Sequence, residues 1–270
     1  MQYKINQGKD STNCRKNVTI TYRFDYIMRK SVISKEQIMK NYDSVNYRSV
    51  ENEKRKFLSR TYGWMTLALV ISAASAFVTA SSPTMLRFLF GNRAIGFFVL
   101  AIAEIALVWW LSASIRSIST GAASIAFVIY SLLNGVTLSS IFIVYTGTSI
   151  MYTFLAAAGM FGAMSIFGMR TKQNLNSAGR YLIMAVWGII IASIINLLLR
   201  STGLNWAISL ITVVVFSGLT AYDSQKMLAA AGQADGSETF KKASIIGALE
   251  LYLDFINIFL SLLRLFGRRN

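Results

Sequence analysis

Residues 248–267 read ALELYLDFINIFLSLLRLFG, an apolar run interrupted by Glu250, Asp254, Asn257, Ser261 and Arg264. The steps between those polar residues are four, three, four and three. In an α-helix that spacing puts all five on one face and leaves Leu251, Phe255, Ile258 and Leu262 for other surroundings. The run is long enough to cross a hydrocarbon core of about 30 Å, where each ionisable group costs a few kcal/mol unless it has a partner or a task. The polar face is therefore where function is expected.

Working outward, six more apolar stretches of similar length appear. The expected spans are 62–80, 94–115, 121–145, 149–169, 181–199, 204–227 and 244–266. The chain of 270 residues is 54% hydrophobic, 14% charged and holds one proline, the composition of an all-α integral membrane protein with seven transmembrane helices. The third span contains Asn134 and Gly135, so distortion is expected there. Gly159 and Gly162 in the fourth span, and Ala185, Gly188 and Ala192 in the fifth, are expected to permit close helix approach. Trp109, Trp110 and Trp206 suit the headgroup belt.

The formal net charge is +15, and residues 1–61 hold 14 of the 27 Lys and Arg. With seven spans and an inner N-terminus, the inner side carries 21 basic residues and the outer side 6. That asymmetry predicts a cytoplasmic N-terminus and an outer C-terminus, although it comes mostly from the leader. The basic residues read as orienting groups against anionic lipid, not as a nucleic-acid surface. Residues 1–55 form a polar segment expected to be poorly ordered, and 56–270 the membrane domain. Met39 begins a plausible short leader of its own, so residues 1–38 are expected to be an extension or an upstream start. No cleavable signal peptide is visible at the start of the chain. The connection Ala229–Thr239, AAAGQADGSET, reads as a flexible inner loop.

Cys14 is the single cysteine and histidine is absent. That removes the usual proton switch and the commonest zinc ligand, so any pH sensing must rest on carboxylates. No cofactor and no enzymatic activity are expected. The ionisable residues within or beside the spans are Glu104, Arg116, Asp223, Glu250, Asp254 and Arg264, with Asn134, Asn196 and Asn257 as neutral polar groups. Asp254 lies about 15 Å along its helix from Ser244, near the midplane. Asp223 falls close to the inner end of its span, about 10 Å from that depth, and helix tilt or a longer sixth helix could close the offset. A solvated helix-end acid, or a partner of Lys226, is the alternative for Asp223. For Asp254 it is a structural hydrogen-bonding group. If the two carboxyls meet, they cannot both ionise cheaply, and a shared proton joins their helices.

Several strings now stand out together: RTYGWMTLAL at 60–69, SLLNGVTLSSIFIVYT at 131–146, FGAMSIFGMRTKQNL at 161–175, AYDSQKM at 221–227 and the run at 248–267. The chain resembles, over about residues 56–268, the Bax inhibitor-1 family (transmembrane Bax inhibitor motif family) in a bacterial form. The resemblance implies seven helices with the last central in the bundle, an inner (plasma) membrane location and a pH-sensitive calcium leak channel. Its sensor would be the aspartate pair Asp223 and Asp254. Glu104 and Arg116 lie where family members often carry an acid and a basic residue. Glu250 departs from the pattern, since a small polar residue is common there. It adds like charge beside Asp254 or a cation-attracting oxygen. The implied ion path uses Glu104, Arg116, Asn134, Glu250, Asn257 and Arg264, with calcium held transiently near Asp223, Asp254 and Glu250; calcium and protons are the species handled.

Two other readings compete. In one, the bundle regulates a membrane protein partner such as a quality-control protease. In the other it is an intramembrane aspartyl protease, but the second aspartate sits in Leu251-Tyr252-Leu253-Asp254 instead of a Gly-x-Gly-Asp string, and the only proline is Pro83.

Overall fold

The computed structural model describes residues 51–91, 95–115 and 117–270. Cys14, the leader with its 1–38 extension, and Arg116 lie outside the described residues. Those described form helices α1 (Glu51–Ala80), α2 (Pro83–Phe90), α3 (Ile95–Ser114), α4 (Thr120–Leu138), α5 (Ser140–Val144), α6 (Gly147–Arg170), α7 (Asn176–Leu199), α8 (Thr202–Ala231) and α9 (Glu238–Phe266). No strand occurs among them; an isolated antiparallel bridge joins Tyr145 to Arg269. Seven helices are long and apolar enough to cross a membrane, with α4 and α5 together making the third.

The helix ends follow local chemistry. Ser82, Ser119, Thr146 and Ser201 each accept a backbone N–H with the side-chain oxygen at an N-terminus, satisfying a donor that the helix leaves free. Asn196 Oδ1 accepts Ser201 N at 3.1 Å, so this asparagine closes the end of α7 instead of facing the bundle. α1 begins at Glu51, well before the expected start at 62, because ENEKRKF continues the helix with good formers and a Lys56–Glu53 ion pair of 2.7 Å. Likewise α8 runs on to Ala231 and α9 starts at Glu238, which shortens the expected 229–239 loop to residues 232–237.

Helix α9 is the most buried of the seven, whereas the apolar window of α7 has no buried residue. Around α9, Phe240 meets Phe57 of α1, Tyr252 meets Phe127 and Tyr130 of α4, and Phe255 meets Phe154 and Phe161 of α6. The apolar faces of α9 therefore fill the core in several directions at once.

Close approach occurs at different glycines from those expected. Nothing lies within 4 Å of a Cβ built at Gly159, Gly162 or Gly188. Those positions face outward and need no small residue. At Gly168 of α6, by contrast, a Cβ would overlap the carbonyl oxygen of Ala221 in α8. Gly135 plays the same part between α4 and the Ser72 backbone of α1, where Ser72 Oγ and Ser75 Oγ donate to the carbonyls of Ser131 and Leu132 at 2.7 and 2.9 Å. The distortion expected in the third span falls just beyond Gly135, at Ser139 between α4 and α5.

Candidate functional site

The site is built by the α8–α9 hairpin. Its antiparallel register sets the Met227 sulfur against Gly247, Lys226 against Glu250 and Asp223 against Asp254. The three residues from Lys226 back to Asp223 are matched by the four from Glu250 on to Asp254. The extra turn of α8 beyond its expected end removes the depth offset, and Asp223 lies inside the helix instead of at its tip.

Asp223 and Asp254 are 8% and 4% exposed, and their carboxyl groups lie within hydrogen-bonding reach of each other. Thr220, one turn from Asp223, also reaches Asp254. Its hydroxyl also donates to the Phe216 carbonyl at 2.8 Å. The other Asp254 oxygen, Oδ2, is buried without a partner.

Glu250 departs from its expected place. Lys226 Nζ donates to both of its oxygens, at 2.8 and 2.9 Å. Lys226 is thus the partner of Glu250, and the extra acid is neutralised locally. Among the described residues no three acidic or thiol side chains converge as a metal-ligating group. The expected calcium contact at Asp223, Asp254 and Glu250 is therefore not a three-carboxylate cluster in this structure.

Glu104 belongs to a second polar group. Its oxygens accept from Asn134 Nδ2 at 3.0 Å and from Thr137 Oγ1. Asn134 Oδ1 in turn accepts from Tyr252 OH at 2.8 Å, and Tyr252 OH lies 2.7 Å from Ser72 Oγ. The chain of hydrogen bonds ties α1, α3, α4 and α9 together, and no arginine among the described residues takes part. Sequence reasoning did not single out Tyr252, Thr137, Ser72 or Thr220. Only the i, i+3 spacing of Thr220 and Asp223 offered a local signal for any of them.

The remaining stripe residues, Asn257, Ser261 and Arg264, face a cleft of about 700 Å³ walled by α3 and α7. Glu104 also lines it. The polar face of α9 is thus divided: Glu250 and Asp254 meet α8, and the other three look into the cleft. Asn257 Nδ2 returns to the Leu253 carbonyl of its own helix at 2.8 Å.

Comparison with known proteins accords with this architecture. A sequence profile described as "Inhibitor of apoptosis-promoting Bax1" matches residues 54–270. The chain belongs to the Bax inhibitor family. Among the family's members, it is 50% identical over 215 residues to inner membrane protein YbhL of Escherichia coli K12, covering 79% of this chain and 92% of that one. It is 44% identical over 222 residues to a Borreliella burgdorferi protein, covering 80% and 93% of the two chains. A Streptococcus pyogenes membrane protein is 36% identical over 229 residues, with 84% and 99% covered. Family membership thus takes in all seven apolar helices and both aspartates, and leaves the leader outside.

Proposed function

We propose that this Bax inhibitor family protein is a pH-sensitive calcium leak of the bacterial inner membrane, with its N-terminus in the cytoplasm. The observation that carries the reading is the buried Asp223–Asp254 pair across the α8–α9 hairpin. With one proton between them, the carboxyls bond and hold α8 against α9. Loss of that proton sets two like charges side by side in a poorly hydrated site, and the repulsion loosens the same contact. Only those two acids need move, because Lys226 already balances Glu250. Calcium is the species carried, and a site with so few oxygens suits passage over storage, since calcium takes six to eight oxygen ligands. The inner-membrane placement leans on the name of the Escherichia coli relative, and the orientation on the basic leader.

An aspartyl-protease reading has less support: neither aspartate lines the cleft between α3 and α7. The test is calcium flux into liposomes containing purified full-length protein, measured across a pH series. Wild type is expected to change its flux with pH, and Asp223→Asn and Asp254→Asn each to flatten that profile. A profile unchanged in both variants refutes the sensor role.

A further inference from the structure

The cleft between α3 and α7 presents two side-chain donors, Ser261 and Arg264, without a hydrogen-bond acceptor among the described residues. Ser261 is 1% exposed and its hydroxyl has no hydrogen-bond partner. Arg264, in the last turn of α9, has no carboxylate partner among the described residues. The other polar groups on the cleft are Glu104, Tyr130, Ser193, Thr212 and Asn257, and the Ser193 and Thr212 hydroxyls each donate to a carbonyl of their own helix at 2.7 Å. Glu104 is occupied by Asn134 and Thr137, and the Asn257 amide by Leu253, so neither answers the guanidinium. An acceptor-rich anion is the missing complement. The walls above and below are apolar, built from Ile105, Val108, Ile190, Ile194 and Leu197, and Trp109 stands among them. Arg264 lies two residues before the end of the helix at Phe266, the level at which a spanning helix meets headgroups.

We infer that this cleft binds one phospholipid with an anionic headgroup: its phosphate accepts from Arg264 and Ser261, and an acyl chain lies along the wall formed by α3 and α7. The cleft volume is that of a small-molecule site and fits part of a lipid. Net charge selects the headgroup, because a zwitterionic lipid brings an ammonium toward the guanidinium and an anionic one does not. The proposal stands apart from ion leak, and its test reads binding alone.

Full-length protein stripped of lipid in detergent is titrated with phosphatidylglycerol or phosphatidylcholine, and bound lipid is counted by native mass spectrometry. Wild type is expected to retain one phosphatidylglycerol with at least roughly fivefold preference over phosphatidylcholine, and Arg264→Gln to weaken it about tenfold. Ser261→Ala should weaken it about two- to threefold, as loss of one neutral hydrogen bond does. Arg264→Lys, which keeps the charge, guards against a fold defect in the glutamine variant and should retain most of the preference. Arg87→Gln, on α2 away from the cleft, should change nothing. Bromine-labelled phosphatidylglycerol should quench wild type more than Trp109→Phe. Equal affinity for the two lipids in wild type, or equal losses in Arg264→Gln and Arg87→Gln, overturns the proposal.

Discussion

Replacing Gly168 by alanine should separate α6 from α8, and replacing Gly159, about two and a half turns away on the same helix, should not. The added Cβ at Gly168 would overlap the Ala221 carbonyl oxygen and lie 2.7 and 2.8 Å from the carbonyl carbon and Cα of that residue. All three atoms are backbone, so no rotamer change relieves them. Comfortable carbon contacts begin near about 3.5 Å, and the two helices must part by roughly 1 Å. Overpacking of this kind costs about 1–3 kcal/mol, and more where backbone must shift. A Cβ at Gly159 meets nothing within 4 Å. There the exchange gains the alanine preference for helix, roughly 0.5–1 kcal/mol. For a bundle of this length each kcal/mol moves the midpoint by about 2–4 °C, so Gly168→Ala should melt about 2–12 °C below wild type, with Gly159→Ala level or slightly above. Circular dichroism melts in one detergent compare the three proteins. Indistinguishable midpoints for the two variants refute the assigned packing.

Two further outcomes follow from the hydrogen bonds. Tyr252→Phe deletes the hydroxyl that donates to Asn134 at 2.8 Å and sits 2.7 Å from Ser72, and it should cost about 0.6 kcal/mol, the average for hydrogen bonds between membrane helices, and no more than about 1.7 kcal/mol. A double-mutant cycle with Asn134→Leu measures this, and zero coupling contradicts the bond. In the α8–α9 loop, the Ser237 side chain and then its amide, at 2.8 Å from Oδ1, hold the Asp235 carboxyl below the ordinary aspartate value. A lowered midpoint means the contact contributes fully above the unfolded value of about 3.9 and is lost only as pH falls through the folded midpoint. Side-chain carbon shifts followed by NMR give that midpoint, and one at or above about 4 rejects the bond.

Length, apolar periodicity and one repeated spacing were enough to find the seven helices and the polar face of the last one, because each is a property of consecutive residues. Helix ends were less legible. The span of α8 is expected to end at 227 because hydropathy falls there, yet its backbone stays helical to Ala231. Partner choice could not be read locally at all. Whether Lys226 would meet Asp223 or Glu250 depends on the hairpin register, and that is set by contacts such as Gly247 on Met227. Glu104 is a similar case: charge suggests an arginine, and packing of α3 on α4 delivers Asn134 and Thr137. Small residues mislead for the same reason, since Gly159 and Gly168 look alike in a string and only the second faces another backbone. Sequence by itself thus determined which segments are helical, which faces are polar and which family the chain belongs to. The tertiary structure alone decided which buried groups touch, because side-chain neighbours across a bundle follow from how far one helix slides and turns against the next, which no periodicity within a single helix records.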